Sequence, residues 1–94
     1  SLQSLEDVVT ALEQKNELLL ASNIRLYVHP VKIEDGAQAG TLEVRIKPEA
    51  PAKLAQDIGP ILSRITGKRW LVSLSQAPGL PTLAEQQEAA QNAE

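Results

Sequence analysis

Few residues of this chain could do chemistry, and they are not grouped as a catalytic or metal site requires. The 94 residues include one histidine and no cysteine. His29 precedes Pro30, and Glu34 and Asp35 are adjacent carboxylates beside a glycine turn. A catalytic centre needs a nucleophile, a base or metal ligands in one preorganised cluster. The pattern therefore predicts a structural or exposed histidine, a solubility role for the two carboxylates, and no enzymatic activity, metal or cofactor.

Basic residues are the second group that could bind a ligand. Residues 45–69 carry six Lys or Arg against two acidic residues, within a chain of net charge −3. Gly67-Lys68 lacks the upstream glycine and the hydroxyl of a phosphate loop. Basic residues without interleaved aromatic residues support only weak, salt-sensitive contact with nucleic acid. A solvated face is the simpler interpretation, and the alternative is a nucleic-acid surface formed by Arg45, Lys47, Lys53 and Lys68.

Composition limits the class of protein to one small domain with an aliphatic core. The hydrophobic fraction is 43%, and Trp70 and Tyr27 are the only aromatic residues. No apolar run approaches the roughly 20 residues of a membrane span, and the N-terminus shows no basic segment followed by a hydrophobic one. The absence of cysteine suits a reducing compartment. We expect a cytoplasmic domain without membrane contact.

Two helical segments are predicted at the N-terminus. Ser4 is typical of an N-cap, with Asp7 in the capping-box position. An apolar stripe at helical spacing follows, formed by Leu5, Val8, Val9 and Leu12. A second short helix is expected from Glu17 to about Arg25.

Alternation predicts a hairpin in the next segment. The first strand is expected over 27–34, with Val31 and Ile33 on one face, and Pro30 makes it an edge or bulged strand. The turn over 35–40 has Gly36 and Gly40, expected to relieve backbone strain. The second strand, 41–47, points Leu42, Val44 and Ile46 to one face and Glu43, Arg45 and Lys47 to the other.

A kinked helix and a third strand complete the predicted core. The apolar phase from Leu54 to Ile65 continues across Gly59-Pro60, and Gly67 fits the left-handed position that closes a helix. Trp70 to Ser75 alternates as a strand, parallel to the second strand by the right-handed crossover rule. The predicted fold is α+β, helix-strand-strand-helix-strand-helix, with a three-stranded mixed sheet and helices on one face.

The chain divides into residues 2–76, a small α/β domain, and residues 77–94, a linker with a polar helix. Ala77-Pro78-Gly79 marks the boundary. Thr82 and Glu85 form a second capping box, but the helix that follows has almost no apolar stripe beyond Leu83. Short isolated helices are marginal in water, so we expect part of this segment to be disordered.

Trp70 has two interpretations. As a core anchor it buries a large apolar area between the last strand and the helices. As an interface residue it lies partly exposed beside Lys68 and Arg69, a composition common at binding centres. The core interpretation is favoured, and the interface remains open.

The element order is similar to that of KH-type RNA-binding domains, which clamp nucleic acid with a G-x-x-G loop. At the position of that loop this chain has only Gly59-Pro60-Ile61-Leu62, which lies within a run of apolar residues at helical spacing. The clamp is therefore missing.

The run from Ile65 to Ser75, followed by Pro78-Gly79 and by the 81–86 segment, resembles the C-terminal region of the gamma/tau clamp-loader subunit of bacterial DNA polymerase III, in its alphaproteobacterial form. The sharp part is the Thr-Gly-basic-basic-Trp corner together with the Pro-Thr-Leu helix start. The rest of residues 2–90 matches at the level of pattern. The 35–40 turn departs by being longer than is usual in that family.

The resemblance implies a truncated KH-like domain that docks onto the alpha, or polymerase, subunit and carries no ATPase motif. It also implies that the family's chain continues past Glu94. The partner-binding residues expected from it are Lys68, Arg69, Trp70, Thr82, Leu83 and Gln86. Two further hypotheses stay open, which are a KH-like nucleic-acid module using the 45–69 segment and a folding or self-association module.

Overall fold

The computed structural model describes residues 1–92 and contains four helices and a three-stranded sheet. In chain order the elements are α1 (Leu5–Gln14), α2 (Leu18–Tyr27), β1 (Val28–Asp35), β2 (Ala39–Ile46), α3 (Leu54–Thr66), β3 (Arg69–Leu74) and α4 (Leu83–Asn92). The sheet order is β1-β2-β3, with β1 antiparallel and β3 parallel to β2. The predicted α+β fold and mixed sheet are confirmed. The KH-like part of that prediction stays a prediction, and residues 93–94 of the predicted C-terminal segment lie outside the described residues.

Capping and a left-handed residue position the first two helices. Ser4 Oγ accepts a hydrogen bond from the Asp7 amide at 3.2 Å, as predicted for an N-cap. The Asp7 carboxylate accepts from the amide of Gln3 at 3.0 Å, so only half of the capping box forms. Asn16 takes φ 61° and joins α1 to α2. Asparagine tolerates this conformation better than most residues do. The predicted apolar stripe of α1 is buried.

β1 is both an edge strand and a bulged one. The register shifts between Pro30 and Lys32. Pro30 pairs with Val44 and Ile33 pairs with Leu42, which places Pro30 rather than Val31 on the face of Ile33. The prediction that Val31 and Ile33 share a face is therefore wrong, because the bulge inserts one residue into the alternation.

Trp70 packs directly on Gly40, its partner in the parallel register. A Cβ on Gly40 would lie 2.5–2.6 Å from three carbons of the indole ring. Neither Gly40 nor Gly36 has a positive φ, so the prediction that they relieve backbone strain is wrong. Gly40 is required for a close approach of side chain to backbone instead.

α3 is a single helix with Pro60 inside it, as predicted, and Gly67 closes it at φ 76°. Its buried residues include Leu54, Ile58 and Leu62. These side chains pack with the buried residues of α1, α2 and β2 in one largely aliphatic cluster that includes Trp70.

Gly40→Ala is expected to lower the free energy of unfolding by about 1–3 kcal/mol, because the new methyl group must displace the indole ring from a packed core. Urea denaturation followed by circular dichroism measures this. Thr41→Ala is the matched control, since Thr41 is the exposed neighbour of Gly40. Equal stability of the two variants would contradict the role of Gly40.

Candidate functional site

The corner between α3 and β3 is fixed by side-chain hydrogen bonds to the backbone. Ser63 Oγ donates to Gly59 O at 2.8 Å and accepts from the Trp70 amide at 2.8 Å. Thr66 Oγ1 donates to Leu62 O at 2.8 Å. The last turn of the helix is therefore tied to the first residues of the strand.

Lys68 joins this corner to the β1–β2 turn. Its ammonium forms an ion pair with Asp35 and donates to Gly36 O at 2.6 Å. The Asp35 side chain is 7% exposed and also accepts from the Leu2 amide at 2.6 Å. The Lys68 ammonium, with help from the Leu2 N–H, lowers the pKa of Asp35 below its usual value.

The prediction that Glu34 and Asp35 serve solubility is therefore wrong for Asp35. Glu34 fits it better, since its side chain is 66% exposed and its only ion pair within residues 1–92 is with the equally exposed Lys32. Adjacent residues of a strand point to opposite faces, so only one of two neighbouring carboxylates reaches the corner.

Lys68→Met is expected to destabilise the domain more than Lys32→Met. Removing the Lys68 ammonium leaves a buried carboxylate without its cation, whereas the exposed Lys32–Glu34 pair contributes little. Urea denaturation of both variants at neutral pH measures the difference. Equal midpoints would show that the Asp35–Lys68 pair adds nothing to stability.

The other residues of the corner divide into one buried and one exposed side chain. Trp70 is 4% exposed, which confirms the core interpretation. Its indole N–H is buried without an acceptor among the described residues. Arg69 is exposed and forms no ion pair within residues 1–92.

The start of α4 forms the second group of predicted site residues. Thr82 and Glu85 make the reciprocal capping box, with Thr82 N donating to Glu85 Oε1 at 2.9 Å and Glu85 N to Thr82 Oγ1 at 3.1 Å. Thr82 and Leu83 are buried. Gln86 is exposed, and its side chain donates to Pro81 O at 2.8 Å.

Lys47 connects the start of α4 to the sheet. Lys47 Nζ donates to Glu85 Oε2 at 2.8 Å. This bond, with the backbone N–H of Thr82, lowers the pKa of Glu85 to about 2. A carboxyl group whose pKa is lower in the folded state than in the unfolded state stabilises the fold at pH values above its unfolded-state pKa. This stabilisation is lost as the pH falls through the folded-state pKa.

Glu85→Gln is expected to be less stable than the parent chain above about pH 4.5, with the difference shrinking as the pH falls toward 2. Subtracting the variant's urea midpoint from the parent's at each pH separates Glu85 from the other carboxylates. A difference that does not change with pH would contradict the shifted pKa.

The linker between β3 and α4 is bound to one end of the hairpin. His29 is buried, and its Nδ1 lies 2.9 Å from the carbonyl oxygen of Leu80, so Nδ1 carries the proton and donates. Arg45, which pairs with His29 across the strands, donates from Nε to Pro78 O at 3.2 Å. The structural interpretation of His29 is confirmed.

The structure does not bring the six predicted partner-binding residues together. Arg69 is the register partner of Ala39 at the start of β2, whereas Glu85 contacts Lys47 just after its end. Eight residues of extended chain separate these points, about 26 Å at 3.3 Å per residue. Lys68, Arg69 and Trp70 thus lie at one end of β2, and Thr82, Leu83 and Gln86 at the other. Nothing in the sequence indicated the register that separates them.

The basic residues of the alternative hypothesis are mostly engaged within the domain. Arg45 contacts the linker, Lys47 contacts Glu85, and Lys68 contacts Asp35. Gly59-Pro60-Ile61-Leu62 lies inside α3 and not in a loop. Residues 1–92 contain no group of three or more His, Cys, Asp or Glu side chains placed to bind a metal ion, and no helix among them is long and apolar enough to cross a bilayer.

These features define a small α+β domain whose polar side chains serve packing and capping. A family model described as "DNA polymerase III gamma and tau subunits C terminal" matches residues 2–94, and the chain belongs to that family. Comparison with curated proteins and with solved structures finds no match.

Membership makes the chain a DNA replication domain, the non-catalytic C-terminal part of a DNA polymerase III subunit, and implies association with that complex. The resemblance found in the 65–86 region is confirmed at the level of the family. The alphaproteobacterial form stays a prediction.

Proposed function

We propose that this domain docks the tau subunit onto the alpha subunit of bacterial DNA polymerase III, in the cytoplasm. The family supports a place in the replicative polymerase. The Thr66–Trp70 corner and the 81–86 helix start, which resemble the tau C-terminal region, support alpha as the partner. The domain contributes binding rather than catalysis.

The observation that carries this proposal is the presentation of Arg69. Its side chain is exposed, while the residues on both sides are fixed, Lys68 by Asp35 and Trp70 by the core. Arginine is enriched among the residues that dominate binding energy at interfaces. A rigid backbone around Arg69 lowers the conformational entropy lost on binding, since only the side chain must be immobilised.

The other predicted residues divide into positioning residues and one second contact. Lys68, Trp70, Thr82 and Leu83 are engaged or buried within the domain and act by fixing the surface. Gln86 is exposed at the far end of β2 and forms a separate, weaker contact. Arg69 is therefore the contact that contributes most to binding of the alpha subunit.

Arg69→Glu is expected to weaken binding of purified alpha subunit by about tenfold or more, a loss on the order of 1.4 kcal/mol. Isothermal titration of alpha against the domain, extended to the natural C-terminus of its subunit, measures this. The reversal of charge places a carboxylate where the partner must accept a guanidinium.

Lys53→Glu is the matched control, because Lys53 is also exposed, belongs to the same basic segment and undergoes the same change of charge. Equal loss in the two variants would reduce the effect to net charge and contradict a specific role of Arg69. Undetectable binding of the extended parent domain would disprove docking onto alpha.

A further inference from the structure

The two edge strands of the sheet, β1 and β3, differ in how far they are protected from pairing with a further strand. At the outer edge of β1 there are a proline, a bulge and a lysine, Pro30 to Lys32, and the Leu80 amide donates to Pro30 O at 2.9 Å. Each of these features prevents a further strand from pairing with an edge. β3, Arg69–Leu74, has no proline, no lysine and an uninterrupted register with β2.

The backbone groups on the free side of β3 follow from two hydrogen bonds. The Ser75 amide donates to Val44 O at 2.8 Å, toward β2. The Trp70 amide donates to Ser63 Oγ, away from β2. Since backbone groups alternate along a strand, Val72 and Leu74 direct their N–H and C=O groups outward, where no backbone partner lies within residues 1–92.

α3 covers only the first part of this edge. Gly59 of the helix lies against Trp70 O and the Val72 side chain. Leu74 is on the same sheet face as Trp70 and yet is 65% exposed, so the helix does not reach over the end of β3. The Leu74 side chain and the outward N–H and C=O groups of Val72 and Leu74 are therefore exposed at the same place.

We propose that this edge pairs with the β3 edge of a second copy of the chain, antiparallel about a two-fold axis at Ser73. Val72 of each copy then faces Leu74 of the other, and these two pairs exchange four backbone hydrogen bonds. Leu74 of each copy packs on Val72 of its neighbour, which covers its exposed side chain. The dimer goes beyond docking onto the alpha subunit and does not depend on it.

Self-pairing suits this edge because the edge is complementary to itself. Val72 and Leu74, whose outward backbone groups have no backbone partner within residues 1–92, exchange places under the two-fold axis, so each donor meets an acceptor. Residues 71–76 carry no charge, and Arg69 would face Ala77 of the other copy, so no like charges oppose each other. The contact is short, and the dimer is therefore weak and depends on concentration.

Sedimentation equilibrium of the chain up to about 1 mM tests the association. Leu74→Lys is expected to weaken it roughly tenfold or more, because an edge lysine opposes strand pairing. Leu80→Lys is the matched control, as Leu80 is 62% exposed on the linker. Equal weakening by both variants would overturn the assignment to the β3 edge.

A thiol at the axis tests the register. Ser73 faces Ser73 of the second copy as a non-hydrogen-bonded pair with Cα atoms about 4.5 Å apart, within the range of a disulfide. The chain has no cysteine, so Ser73→Cys gives the only thiol. Oxidation is expected to produce a covalent dimer from Ser73→Cys and little from Thr41→Cys, which lies on β2.

Equal cross-linking of the two thiol variants overturns the proposed register. A chain that stays monomeric up to about 1 mM overturns the dimer and leaves the β3 edge to a strand of another protein. Retained circular dichroism of each variant excludes unfolding as the cause of a negative result.

Discussion

The contact between the Trp70 indole and the backbone of Gly40 is the constraint on which the rest of the domain depends. The core is otherwise aliphatic, and one large ring fills the space between β2 and α3. The ring can approach only where β2 has no side chain. Ser63 and Lys68 then fix the corner that delivers Trp70 to this place, by the bond to its amide and by the ion pair with Asp35.

The C-terminal segment is attached mainly by polar contacts rather than by apolar packing. Leu83 is the one buried residue of α4, while the linker and first turn are bound through His29, Arg45 and Lys47. Each hydrogen bond to a partly solvated segment contributes only modestly to stability, so α4 depends on several polar contacts together. Such a segment opens locally at less cost than the core does.

Periodicity and turn residues were enough to predict the elements, the parallel crossover and the closing role of Gly67, because these depend on neighbours along the chain. The sheet face of Val31, the burial of Asp35 and the function of Gly40 were not predictable in this way. Each depends on which residue lies opposite, and register is set by the packed sheet as a whole. The site was predicted by resemblance, and the structure separated its six residues into two groups at opposite ends of β2.

A single buried tryptophan also gives the domain a built-in optical probe. Trp70 contacts β2 and α3, so its fluorescence reports on the packing of both at once, without added labels. Its indole N–H is buried and has no acceptor within residues 1–92, so its emission is expected to be blue-shifted in the folded state and to move to the red on unfolding. Tyr27, at the end of α2 beside β1, is the only other aromatic residue, and energy transfer from it to Trp70 would follow the distance between helix and corner.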